Sequence, residues 1–264
     1  MAGDVSRCYL QRMVVLAVIG GTPLPAALGP VVALLDGDDR VSCSGVLVGE
    51  RHVLTAAHCA DAVTVAWGTD LREAAPDEVR EVAGAELPDD HVPGEHGSDL
   101  AVLELVGSAP APSWPVATRP VEAGQRLSIY GFGVTAELAD DAGLQQGATL
   151  EVLDVGPDTL LSWSPDANAC SGDSGGPAVA DGGDGAWVVG VNTWVDPACL
   201  GGKTGTTRID QRIDWLASVV PDLSTTPLSP PADATPTGGC SHVGPGGAWM
   251  SLVGLFLRRK SRAS

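Results

Sequence analysis

Short apolar runs, each about the length of one strand, recur along this chain at close intervals, and that spacing narrows the available folds more than any other feature. PVVALL, VSCSGVLV, HVLTAA, AVTVAW, DLAVLEL and RLSIYGFG are followed by ATLEVLDV, TLLSW, GPAVA, AWVVGVNTW and TGTTRI. Each run is rich in Val, Leu, Ile and Thr, and each is bounded by Gly, Pro or Asp. Branched side chains suit a pleated, half-buried surface, while the bounding residues supply turns. Roughly a dozen such runs predict an all-β chain, either a sandwich or one or two barrels. The 34 Gly and 20 Pro agree with many turns between short strands. With 264 residues there is room for one large all-β unit or two small domains.

One stretch reads as a helix. After Asp210, a suitable N-cap, QRIDWLASVV sets Ile213, Leu216 and Val220 on one face, and Pro221 ends the pattern. The character then changes. Residues 221–239 are dominated by Pro, Ser and Thr, which predicts an extended linker. Residues 240–264 begin at Cys240, pass through a short apolar stretch and end in RRKSR and a few more residues. That stretch falls below the roughly 20 residues that span a bilayer comfortably, although Gly246 and Gly247 extend it. The basic cluster behind it favours a cytoplasmic end, and the alternative is a plain tail with an apolar patch.

The net charge is −18 at pH 7 with His neutral, and the acid is concentrated in the middle of the chain. Both ends are basic. Binding nucleic acid needs a basic face, so it is excluded as a partner. Acidity otherwise speaks of solubility and names no substrate. The cysteines are Cys8, Cys43, Cys59, Cys170, Cys199 and Cys240, with four in the middle and one in each flank. An even number inside the domain suits two disulfides and an oxidising compartment. Zinc competes as a reading, but no Cys-x-x-Cys pair or His/Cys cluster has ligand spacing. The acidic residues 70–81 match no clear cation loop either. No metal and no cofactor are expected.

Three segments carry chemistry. In NACSGDSGGPAV, Ser174 stands among glycines, with Asp173 directly before it and Cys170 upstream. Glycine allows a tight turn and a close approach of backbone to something bound, though the same composition also makes ordinary loops. In CSGVLVGERHVLTAAHC, strand, turn and strand lead to His58 beside Cys59, an order that fits a hairpin locked by a Cys43–Cys59 bridge. In GSDLAVLEL, Asp99 opens an apolar strand, where it either starts a turn or faces inward to meet an imidazole. Together they run His, Asp, Ser, each at a predicted strand edge.

With LTAAHC, DLAVLEL and CSGDSGGP in that order, VIGGTP near the start and GVNTW after the serine, residues 18–220 resemble the trypsin-like (chymotrypsin-fold) serine peptidases. The resemblance implies two six-stranded antiparallel β-barrels with the active site between them, and a C-terminal helix. It implies a protein or peptide substrate and a monomer. It implies a triad in which His58 takes the proton of Ser174 and returns it to the leaving amine, while Asp99 fixes the imidazole tautomer. The N–H groups of Gly172 and Ser174 then form the oxyanion hole. Cys170–Cys199 is the second expected bridge, bracing the serine loop against GVNTW.

The resemblance also pairs Asp173 with the α-amine of Val18 once the chain is cut after Ala17, because a buried carboxylate without its cation is costly. Residues 1–17 are then a signal or pro segment. VLA before Val18 suits a signal peptidase, yet the apolar run before it is too short for an h-region. Either the true start lies upstream, or another peptidase makes the cut; MVVLAVI also reads as a buried strand. For specificity, the register puts Asn168 at the pocket base with Ala169 beside it, and Val195 and Gly205 on the walls. Thr193, Trp194 and Val195 offer an edge to the substrate backbone. The base lacks a carboxylate, so small or medium uncharged side chains are expected before the scissile bond. Residues 240–264 resemble Cys/apolar/Arg sorting tags of the myxobacterial type, which implies export and attachment at the cell surface or outer membrane, with membrane contact through the tail. The competing functions are a non-catalytic binding protein on the same fold and an esterase. The esterase order, Ser, acid, His, leaves only His242 after Ser174.

Overall fold

The computed structural model describes residues 18–23, 29–181 and 185–226. All lie in the unit Met1–Pro230; the second unit, Pro231–Ser264, is outside the described residues. So are Cys8, Ala17 and Cys240.

The first barrel is built from β2 (Val31–Leu35), β3 (Val41–Leu47), β4 (His52–Thr55), β5 (Thr64–Trp67), β6 (Glu78–Glu86) and β7 (Ala101–Leu105). They pair antiparallel in the order β2-β3-β4-β7-β6-β5, and β5 returns to β2 to close the ring. Closure leaves no open sheet edge. Strand β2 is buried on both faces, and its period of two sorts its side chains. Val32 and Leu34 enter a core with Leu54, Trp67 and Leu103. Val31, Ala33 and Leu35 turn the other way and pack with Phe132, which follows directly on a strand of the second barrel. One strand thus serves both a barrel interior and the seam between barrels.

The second barrel uses β8 (Arg126–Gly131), β9 (Gln146–Val155), β10 (Thr159–Trp163), β11 (Pro177–Asp181), β12 (Ala186–Val195) and β13 (Lys203–Arg208). Their order is β9-β10-β13-β12-β11-β8, closed by β8 on β9. A two-residue strand, β1 (Thr22–Pro23), adds to β9. Leu127, Ile129, Leu150, Val152 and Leu160 fill this barrel, and Val18 is buried among them.

The expected all-β architecture of two six-stranded barrels is therefore present, with one short α-helix among the described residues, α1 (Ile213–Val219), following the last strand. The helix buries Leu216 against the first core. Its cap differs from the expectation. The N-cap residue is Arg212, because both Asp210 oxygens are held by the Arg208 guanidinium at 3.0 and 2.7 Å. A charged bidentate partner outcompetes a backbone N–H. Two strands are not among the expected runs: β1 is two residues long, and the EVREVAGAE of β6 is mostly exposed and carries too little apolar alternation to stand out.

Candidate active site

His58 lies in a single 3₁₀ turn, Ala57–Cys59, directly after β4. Cys59 is bonded to Cys43 of β3, which staples that turn to the barrel wall. A second 3₁₀ turn, His96–Ser98, delivers Asp99. The Asp99 side chain is 10% exposed, while that of His58 is 45% open to solvent. Asp99 Oδ2 lies 2.7 Å from His58 Nδ1, and Oδ1 accepts the His58 main-chain N–H at 3.0 Å. Burial, the largest influence on this carboxyl, pushes its pKa up. The His58 ring, its charge and the N–H groups of His58 and Ala57 outweigh that and hold it below the usual carboxylate value.

Ser174 comes from the second barrel, in the turn before β11. Its carbonyl oxygen accepts the Ser44 N–H of β3 at 2.8 Å and lies 3.8 Å from the Cys59 sulfur, so its main chain is fastened beside the histidine turn. Gly175 donates to the Asn192 carbonyl at 2.7 Å, and Asn192 donates to the Gly176 carbonyl at 2.9 Å, which ties the same turn to β12. Gly175, at φ +83°, has no room for a side chain: a Cβ would run into Thr55 Oγ1 and the Ser44 carbonyl.

Gly172 has φ +92°, and a Cβ there would stand 2.8 Å from the Gly133 Cα. Only glycine fits both constraints. Its carbonyl is held by the Ser44 hydroxyl at 2.8 Å, and that hydroxyl in turn accepts the Phe132 N–H at 2.9 Å. Among the described residues, the N–H groups of Gly172 and Ser174 have no hydrogen-bond acceptor. Asp173 between them is fully buried. It accepts N–H groups of Gly133 and Cys170, each at 2.9 Å. Burial raises its pKa to about 7, more than those two N–H groups lower it. Gly131 and Gly133 lie flat against this carboxylate; a Cβ on Gly133 would come within 2.6 Å of its Cγ.

Beside Ser174 lies a pocket of about 130 Å³. Ala169, Val195 and Trp194 line it, together with Asn192 and the Cys170–Ser171 stretch. Asn168, the neighbour of Ala169 in the chain, is fully buried: its amide donates to the Cys199 carbonyl at 2.7 Å, and its Oδ1 accepts the Thr204 hydroxyl. Cys170 and Cys199 are joined, as expected. Gly205 is on the opposite face of β13, under the Trp194 indole, which occupies the space a Cβ would need. The side chain turned toward Asn168 is that of its neighbour Thr204. Thr193 is buried with its hydroxyl 3.1 Å from that of Thr207, which itself donates to the His96 carbonyl in the turn before Asp99.

The donor atoms of Cys43, His58 and Cys59 lie within 4.8 Å of one another. Both sulfurs are committed to the disulfide and offer no thiolate, so the cluster is no metal site. In the acidic segment, both oxygens of Asp70 are taken by Arg72 at 2.8 and 2.7 Å.

Residues 18–216 match the sequence model of the family described as Trypsin. This chain belongs to the trypsin family of serine endopeptidases. Human kallikrein-8 is 28% identical over 229 residues, which cover 77% of this chain and 86% of that protein. Serine protease SP24D of Anopheles gambiae is likewise 28% identical over 229 residues, covering 77% and 81%. Among solved structures, neuropsin, a serine protease expressed in the limbic system of mouse brain, superposes with a TM-score of 0.67 at 26% identity, covering 75% of this chain and 98% of that one.

Within this trypsin-family frame, sequence reasoning missed the residues that hold the site's backbone. Ser44, Thr55, Gly131 and Gly133 are ordinary letters in strand-like runs. The paired glycines of YGFG are the one available signal, since glycine repeated on one face of a strand leaves room for something close.

Proposed function

We propose that the chain is an exported serine endopeptidase that hydrolyses peptide bonds of protein or peptide substrates through an acyl-enzyme on Ser174. The observation that carries this reading is the two-point grip of Asp99 on His58, made beside a Ser174 backbone fastened to the same strand as Cys43. His58 Nδ1 faces Asp99, which leaves Nε2 to take the Ser174 proton as Oγ attacks the substrate carbonyl. The oxygen that becomes negative is stabilised by the N–H groups of Gly172 and Ser174, a donor pair whose single members are typically worth about 3–4 kcal/mol of barrier. His58 then protonates the leaving amine, and water releases the acyl group by the reverse exchange.

Release of the Val18 amine by a cut after Ala17 switches the enzyme on by giving Asp173 its cation. Support comes from the buried Val18 side chain, the Ile19–Asn168 bridge five residues before Asp173, and a carboxyl whose present neighbours are neutral N–H groups. The pocket takes small or medium uncharged side chains, because it is small and its lining holds no charged side chain. Substrate backbone adds along Thr193, Trp194 and Val195, since β12 pairs with β11 only as far as Val191. The segments are a pro region at 1–17, the peptidase at 18–220, a linker at 221–239 and a tail at 240–264 that attaches the enzyme at the cell surface. Two disulfides suit export.

Turnover of a casein-type protein and of internally quenched peptides tests the reading. Wild type cleaves both after release of Val18, and Ser174→Ala cleaves neither. Full activity in a chain still carrying residues upstream of Val18 would refute the switch. Turnover of esters without peptides would refute the endopeptidase.

A further inference from the structure

Asp99 stands near the end of a long connection. Residues 87–100 join β6 to β7, and the one regular element among them is the 3₁₀ turn His96–Ser98. A single turn leaves its carbonyls without helical partners. Here three successive carbonyls each meet a side chain. That of His96 accepts the Thr207 hydroxyl of β13, and that of Gly97 accepts the Arg212 guanidinium at 3.3 Å. That of Ser98 lies 2.9 Å from His91 Nδ1, and since a carbonyl only accepts, Nδ1 carries the proton.

Arg212 has the widest reach of the three. Its backbone is fixed at the start of α1, donating to the Ile209 carbonyl at 2.8 Å and accepting the Leu216 N–H at 2.9 Å. One guanidinium nitrogen donates to both oxygens of Asp90, at 2.7 and 2.6 Å, near the start of the connection. The other holds Gly97, two residues before Asp99, and lies 3.9 Å from Asp158 in the β9–β10 turn. Asp158 also packs on Gly97, where a Cβ would stand 2.9 Å from its own. The Arg212 side chain is only 17% exposed. A planar cation that never loses its charge thus ties both ends of the connection together and fastens them to the second barrel. That matters because His58 and Asp99 belong to the first barrel and Ser174 to the second.

We propose that Arg212 is a positioning residue of the triad, holding Asp99 against His58 through Asp90 and the Gly97 carbonyl. This rests on the endopeptidase reading and adds to it the residue that keeps the acid in place. Reacting groups tolerate little displacement, and about 1 Å can cost on the order of 100-fold in rate. Without the clamp the turn shifts, Asp99 orients the imidazole less well, and the loss falls on turnover.

A double-mutant cycle tests this on the full chain in its fluorophosphonate-reactive form, with kcat and KM measured on one internally quenched peptide. Arg212→Ala is expected to lower kcat at least about tenfold, with KM within about threefold of wild type. In an Asp99→Asn background the same substitution should change kcat by less than about twofold, because the carboxylate it serves is gone. A smaller loss in the single variant, a loss carried by KM, or one of equal size in both backgrounds overturns the proposal. Arg212→Lys, which keeps the charge but lacks the planar fork, takes its place under the same criteria if Arg212→Ala does not fold. An active wild type that ignores Arg212 loses only this inference. A wild type that neither reacts with fluorophosphonate nor cuts peptides loses the endopeptidase reading itself.

Discussion

Asp99 commits both of its oxygens to His58: one lies 2.7 Å from the ring Nδ1, and the other accepts the main-chain N–H of the same residue at 3.0 Å. The second contact ties the carboxylate to the His58 main chain, so its place beside the ring does not depend on the ring contact alone. Asp99→Asn keeps the shape but no longer selects the useful tautomer. It is expected to lower kcat by roughly 10⁴-fold near neutral pH. Thermal stability should change little, and initial rates with a peptide substrate, alongside a melting curve, check both.

The hydroxyl of Ser44 joins two backbones of the second barrel from a strand of the first, donating to the Gly172 carbonyl and accepting the Phe132 N–H. Ser44→Ala leaves both buried groups without that partner. The expected loss is about 1–3 kcal/mol of stability, read as a lower urea midpoint at unchanged slope. Because one of these groups belongs to the proposed oxyanion turn, kcat should fall as well.

Asp173 makes the stability of the uncleaved chain depend on pH. Burial holds its proton up to about pH 7, whereas the unfolded chain releases it near the ordinary value of 3.8. Between those values the folded state binds the extra proton, so stability falls as pH rises from about 4 to about 7 and is level above. The upper limit of this contribution is on the order of 4 kcal/mol. Asp173→Asn should remove the slope. Urea unfolding across this range, in a Ser174→Ala background that prevents self-digestion, measures it. After release of the Val18 amine, pairing favours the charged carboxylate, and the decline with rising pH should disappear.

Much of the fold was legible because burial writes itself into apolar runs. Among the described residues, eleven of the thirteen strands correspond to runs such as PVVALL and AWVVGVNTW. The two exceptions have physical causes: β1 is two residues long, and β6 faces solvent through EVREVAGAE, so neither needs an apolar signature. His58, Asp99 and Ser174 could be singled out as candidates from the sequence because the proposed acyl-transfer chemistry admits few residue types. The pocket was harder. β12 carries one extra residue between Asn192 and Trp194, where its pairing with β13 shifts, so the faces of Trp194 and Val195 do not follow from simple alternation along the strand. No motif marks Thr204, whose hydroxyl meets Asn168, or Asn192, which lines the pocket.

The most direct measurement is site-mapped labelling of the folded, Val18-released chain by a fluorophosphonate. If the imidazole of His58 activates the hydroxyl opposite, a single adduct forms on Ser174, vanishes in Ser174→Ala and slows by at least about 100-fold in His58→Ala. A folded protein that takes no adduct, or one whose labelling rate ignores the loss of His58, would contradict the account.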